Sequence, residues 1–368
     1  MRTSAVLWIL TGLFVLAGLS MLLVQPRQVE LSGYLGVARK HASGRIVVSS
    51  TLLIAKGEVL MIAPGTEVTF AEGAVIRVVG GALYALGTRK QPIRFRGPSG
   101  TAPGGGIITT GSTILQHVEF VGCNGVANAE NPEHTRCVIA SDGVLSAASV
   151  TIRRCSVRCA IWGGAFPLGL SGVTFEAVEA TDQLVKVWHP VDPKTSIVSN
   201  ITLEGRITGP GGKICRAFSG VGEVAGLDTR TLETRVSVES RSISNSRLFR
   251  TDVAAAEITD SWLKDSSAEV QSLRSCTALD STISYNVAYH CSLTDCCFVD
   301  APVEDGSKFR AYSCEFRMTE DDLFGGQYPW FWFGLLGSGQ NTLLVRSSNP
   351  EFERSEEHTS ELQSRQSI

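Results

Sequence analysis

Residues 273–301, LRSCTALDSTISYNVAYHCSLTDCCFVDA, set an apolar or small side chain at Leu273, Ala278, Ile283, Ala288, Leu293 and Phe298, every fifth position. An α-helix returns a side chain to one face every 3.6 residues and a strand every second residue, so neither element alone explains the interval. The phase extends back through Ala268, Leu263, Ile258, Val253, Leu248 and Ile243, and forward to Val303. Two positions before the apolar residues runs a column of mostly small ones: Ser246, Thr251, Ala256, Ser261, Ser266, Gln271, Cys276, Ser281, Asn286, Cys291, Cys296 and Ala301. Short strands wound into a coil satisfy both columns, because the larger and smaller side chains then fill one narrow interior together.

Residues 238–303 resemble pentapeptide-repeat proteins, a family whose coil has four five-residue faces. Here Asp or Asn stands two positions after the apolar residue, at Asn245, Asp260, Asp265, Asp280, Asp295 and Asp300, where that family places it just before. The departure leaves two coils open, one with four such faces and one with three. The four-sided coil would stack Leu273 on Leu293 and Cys276 on Cys296, at a strand spacing of about 4.8 Å.

Upstream, GEVLMIAPGTEVTFAEGAVIRVVGGALYALGTRKQPIRFRG (residues 57–97) places Gly57, Gly65, Gly73 and Gly81 eight apart, each closing a short run of strand formers. Three such units predict a coil of about 24 residues. Alternation at Val68 and Phe70, and at Ile93 and Phe95, turns one face of each strand inward. IAPGTEVTF, GGALYALGT and PIRF resemble the opening segment of right-handed parallel β-helix proteins of bacterial cell surfaces. That resemblance spans residues 46–122 and implies a fold rather than an activity. Apolar or small residues at i, i+3 and i+5 continue the pattern at Leu115, Val118 and Phe120, at Ile152, Cys155 and Val157, at Leu170, Val173 and Phe175, and at Val198, Ile201 and Leu203. Their uneven spacing predicts loops thrown out of the coil, the longest through TDQLVKVWHPVDPKT (residues 181–195), whose prolines interrupt a ladder.

The expected fold is therefore all-β, a right-handed parallel β-helix (β-solenoid) preceded by one N-terminal transmembrane helix. Residues 5–24, AVLWILTGLFVLAGLSMLLV, carry no charge and as a helix measure about 30 Å, one hydrocarbon thickness. They predict a signal anchor in residues 1–27 and a single-pass protein of the cell membrane, bound to the bilayer by that helix, with the solenoid on the extracytoplasmic side. Cleavage after Ser20 would make it secreted. The expected organisation continues with a linker and N-terminal cap (28–45), β-helix with loop insertions (46–235), short-repeat coils (236–318) and an aromatic C-terminal cap (319–353) containing YPWFWFGLL. Arg354 to Ser364 read as a translated sequencing-library adapter, so residues 354–368 are expected to be an artefact and the natural chain to continue past Glu353. The net charge of −3 becomes about −2 without the two arginines and three glutamates of that tail, too weak a field to draw nucleic acid.

Ten cysteines in an exported chain raise the question of disulfides. Their spacing favours packed thiols over a dense framework. Cys155 with Cys159, and Cys291 with Cys296 and Cys297, lack the C-x2-C pairing of a zinc site, so no metal is expected there. Glu320, Asp321 and Asp322 offer oxygen ligands suited to Ca2+, and equally form an acidic turn facing water, so no cofactor is expected. Parallel β-helices host polysaccharide lyases and glycoside hydrolases, and the candidate catalytic residues here are Asp182, Lys186 and His189. Trp188, His189 and Asp192 are the candidate ligand-binding residues, since a ring beside a polar group suits a sugar. Two functions follow. One is a non-catalytic scaffold or carbohydrate-binding solenoid at the cell envelope, whose partners are polysaccharide or other envelope components; it predicts that no cleft gathers three or more ionisable groups. The other is a lyase or hydrolase working in a groove of the solenoid.

Overall fold

The computed structural model describes residues 28–100, 102–125, 131–164, 168–187, 197–219, 221–289, 291–294, 297–298, 310–312, 315–319 and 342–346. The 33 strands among these residues join in one ladder system, parallel throughout from Gln28–Tyr34 on Arg45–Ile54 to Glu315–Thr319 on Thr342–Arg346. Each coil lays down three short strands, and each strand pairs with its equivalents in the coils before and after. The result is an all-β parallel solenoid with three faces. Coil width varies along it. Arg45 lies beside Glu67 in one wide coil, and Ser112 beside Val144 in a wider one. The step narrows to three five-residue units between Val236 and Thr251, and keeps that length between Trp262 and Thr277. Among the described residues the first strand, Gln28–Tyr34, already pairs into the ladder, within the residues expected to form a linker and cap. Residues 1–27 lie outside the described residues, as do the aromatic stretch 328–336 and the tail; among the described residues no helix is long and apolar enough to cross a membrane.

The five-residue period thus belongs to a three-sided coil. Leu273 stacks on Ala288, Ala278 on Leu293 and Ile283 on Phe298. Leu273 and Leu293 consequently occupy different faces, and Cys276 aligns with Cys291 rather than Cys296. Two corners of each narrow coil explain the choice. Asn245, Asp260 and Ser275 mark one, and Arg250, Asp265 and Asp280 the other, all with φ between 47° and 52°. In this left-handed region Asn and Asp are the least disfavoured side chains, which accounts for their place two after the apolar residue. Four of these corner residues donate their backbone N–H to the next coil: Asn245 to the Thr259 carbonyl at 3.2 Å, Arg250 to Lys264 at 3.1 Å, Asp260 to Arg274 at 3.0 Å and Asp265 to Leu279 at 3.3 Å. The same corner continues upstream through Ser149, Gly172, Asn200 and Gly226, all at positive φ, so coils of very different length share one bend.

The third corner is made differently, and there the expected small column fails. Strands Thr251–Thr259 and Ser267–Arg274 run through it without a left-handed residue. Val270 takes the inward place, Gln271 is exposed and Ala256 only half-buried. In the wide coils this corner carries Gly81, Gly111 and Gly143; a Cβ on Gly111 would collide with the Gly81 carbonyl, and one on Gly143 with that of Gly111.

Core composition follows coil width. The wide coils stack rings: Phe70 lies 6.0 Å from Phe95, and Phe95 4.9 Å from Phe120 with planes 11° apart. In the narrow coils the residue after the left-handed corner is Ser246, Ser261, Cys276, Thr251, Ser266 or Ser281, all buried. Cys123, Cys137, Cys155, Cys159, Cys215, Cys276 and Cys291 are free and buried. Burial pushes the Cys155 thiol up to about 12, so it packs as a small apolar group.

Candidate functional site

The second face, built from strands Ile76–Val78, Ile107–Thr109, Cys137–Ser141, Ser156–Gly163 and Glu179–Val187, is crossed outside the coil by a row of register partners: Arg77, Ile108, Ala140, Trp162 and Lys186, one from each successive coil. Alternation is broken here, with Val138 and Ile139 both joining the main core, as do Ala160 and Ile161. This bend turns Cys137, Ala140, Cys159 and Trp162 outward, where with Val75 and Ile108 they form a second apolar cluster. Exposed apolar surface of that size requires a cover, and the chain supplies one in the segment around the 3-10 turn Pro132–His134. Asn131 caps it, its Oδ1 accepting from the Glu133 N–H at 3.0 Å.

His134 is 5% exposed and sets its ring edge-on to Trp162, centroids 4.6 Å apart. Its Nε2 lies 3.0 Å from Asp142 Oδ2 and 3.2 Å from Asn131 Nδ2. Because the Asn131 oxygen is committed to the cap, its amide presents a donor to Nε2 and Asp142 an acceptor; Nε2 serves one at a time, accepting from Asn131 when unprotonated and donating to Asp142 when protonated. Burial lowers the His134 pKa; Asp142 opposes this, and Arg77 and Arg158 reinforce it. A cleft of about 140 Å³ opens beside the pair, lined by Arg77, Val79, Ile108, Thr110, Asn131, His134 and Asp142. It gathers three ionisable groups, Arg77, His134 and Asp142, contrary to the expectation that a non-catalytic solenoid has no such cleft.

Next to it is a four-membered ion network. Lys186 Nζ lies 3.3 Å from Glu133 Oε2 and 3.5 Å from Asp182 Oδ2, while Arg158 lies 3.3 Å from Glu133 and 3.8 Å from Asp182. Arg158 also donates to the carbonyls of Glu133 and Thr135, stitching the covering segment down. Burial opposes the Glu133 charge, but hydrogen bonding from Lys186 and the Arg158 guanidinium outweigh it and hold the carboxyl below its ordinary value. Under the same segment Cys137 faces Cys159 across adjacent coils. The Cys159 thiol donating to Cys137 lowers the Cys137 pKa against burial, whereas burial raises that of Cys159.

Of the residues singled out from sequence, Asp182 and Lys186 are brought together, four apart on strand Glu179–Val187. The expected loop therefore starts later, since residues 181–187 are strand. Trp188, His189, Asp192 and the acidic turn of Glu320, Asp321 and Asp322 lie outside the described residues. Cys155 and Cys159 are not together; one faces the main core and the other the outer cluster. Sequence reading missed Glu133, Arg158, His134 and Asp142. They come from separate strands and the covering segment between them, and only the turn signal NPEH (residues 131–134) hinted at an ordered segment. Compared with known protein families, curated proteins and solved structures, the chain matches none of them.

Proposed function

We propose that the chain is a non-catalytic, membrane-anchored β-solenoid of the cell envelope, serving as a scaffold that binds carbohydrate. One observation carries the choice against catalysis. Lys186, the residue suited to act as a lyase base, is engaged by two carboxylates, Glu133 and Asp182, in a network that fastens the covering segment to the solenoid. A base must present a free electron pair to substrate, and an ion-paired structural ammonium does not. Residues 5–24 supply the anchor in this reading and place the faces outside the cell. Right-handed winding accords with the hand that parallel crossovers take in about 98% of cases, and with the likeness of residues 46–122 to bacterial surface β-helices.

A lyase or glycoside hydrolase is the second reading, favoured by the His134–Asp142 pair at a cleft. Incubating the full chain with acidic polysaccharides while following both retention and newly formed chain ends separates the two. Retention without new ends is expected. New ends that vanish in His134→Ala or Lys186→Ala would overturn the proposal in favour of the enzyme.

A further inference from the structure

The first face, which runs from strands Glu67–Phe70 and Ile93–Arg96 to Arg247–Phe249 and Trp262–Lys264, carries an ion ladder on its outer side. Arg94 pairs with Glu119 at 3.0 Å, Arg153 with the same Glu119 at 3.4 Å, Arg96 with Glu67, and Arg230 with Asp228 at 2.6 Å. The pattern changes in the narrow coils. Arg247 lies beside Trp262, and Phe249 beside Lys264, on adjacent coils. Within each strand the two outward residues flank a buried leucine, Leu248 or Leu263, so cation and ring alternate in both directions. Arg250 adds a third cation, its guanidinium 4.9 Å from the centre of the Phe249 ring. Asp228, the register neighbour of Arg247 on the preceding coil, commits both carboxylate oxygens to Arg230. Among the described residues neither Arg247 nor Lys264 has a carboxylate within salt-bridge distance; Asp228 feels the Arg247 charge only at longer range, and Asp260 and Asp265 occupy the corners at either end of the Trp262 strand. Where the ladder elsewhere sets carboxylates against its cations, this patch sets aromatic rings.

We propose that Arg247, Phe249, Trp262 and Lys264 form a binding surface for an acidic polysaccharide, Trp262 stacking on a sugar ring while Arg247 and Lys264 take the carboxylates of neighbouring units. The inference rests on the carbohydrate-binding reading above and locates it. Rings satisfy the apolar faces of sugars, and cations outside ion pairs their acid groups. The coil step of about 4.8 Å is comparable to the advance of one sugar unit along an extended polymer. A single-stranded nucleic acid also offers rings and anions, but the pI of 6.1 and net charge of −3 lack the basic excess typical of such binders.

The test uses the full chain and polygalacturonate, with binding measured at two salt concentrations. Arg247→Gln combined with Lys264→Gln, and separately Trp262→Ala, are each expected to weaken binding about tenfold or more, the charge variant also flattening the salt dependence. All four side chains lie on the outer face, and unaltered thermal unfolding of the variants confirms that the coil survives. If the native chain binds and the variants bind equally well, the surface is wrong while the carbohydrate reading stands. If the native chain binds no acidic polysaccharide, both fail. Tighter binding of a single-stranded oligonucleotide that the same variants abolish would replace the ligand class.

Discussion

Ser246 donates its backbone N–H to the hydroxyl of Ser261, the residue at the same corner one coil later, at 3.1 Å. The Ser261 hydroxyl in turn donates to the Thr259 carbonyl at 2.7 Å, which also accepts from the Asn245 N–H, so the buried side chain gives the Ser246 N–H an acceptor at a bend and ties itself to the same corner. The other corner repeats it, Thr251 N–H to Ser266 at 3.2 Å and Ser266 N–H to Ser281 at 3.3 Å.

Ser261→Ala should therefore cost about 1–3 kcal/mol, the penalty for leaving a buried donor unpaired. Hydrogen exchange should show the Ser246 amide losing protection before its neighbours on the strand. Ser261→Cys should cost less, since Cys276 occupies the equivalent place one coil on. Equal protection in the alanine variant would refute the role given to the hydroxyl.

At the corner itself, Asp260 has φ of 47°. Asp260→Val forces a branched side chain into the left-handed region and should destabilise by about 1–2 kcal/mol, whereas Asp260→Gly should be close to neutral. Urea unfolding of the two variants decides; a valine variant as stable as the glycine variant would show that the corner is not conformationally constrained.

These corners also explain what was legible in sequence. The columns at Leu273 and Cys276 exposed a solenoid because every coil repeats one interior, and repetition survives in linear order. The choice between three and four faces per coil was not legible from apolar spacing, since either coil is a whole number of five-residue units. It was written instead in Asn245, Asp260 and Asp265, whose offset from the apolar residue marks a left-handed bend. Asp182 and Lys186 were legible together because they are close in sequence, but as part of a loop and not of the strand that carries both. Glu133, Arg158, His134 and Asp142 were not, because winding brings them together from separate stretches and each looks alone like an ordinary surface residue.

Phe95 sits between Phe70 and Phe120, buried completely. Phe95→Ala opens a cavity that neither neighbouring coil can close without losing its register, so a loss of about 3–5 kcal/mol is expected, and Phe95→Leu should recover most of it. Because stability in a solenoid is built from nearest-neighbour interfaces, the loss should appear as local exchange around residues 67–70 and 118–121 before it reaches the narrow coils. Uniform weakening along the whole chain would contradict that picture.

Acid should loosen the cover of the second face in two stages. His134 titrates below its ordinary value of 6.5 in the folded chain, so the unfolded chain takes up a proton first as pH falls; stability declines from about pH 6.5 down to the folded pKa. Glu133 is likewise depressed below its ordinary 4.5, and the stability it adds is complete above that value and lost as pH falls through the lower folded one. Both groups act in the same direction, with His134 first. Protection of the amides across residues 131–136, taken relative to the intrinsic exchange rate at each pH, should therefore fall as pH drops below 6.5, and again below pH 4.5. Replacing His134 by Gln should abolish the first stage and keep the second, and Glu133→Gln the reverse. A single acid transition unaffected by either substitution would mean that the covering segment is held by its apolar contacts on Trp162 and Ile108 and not by these two charges.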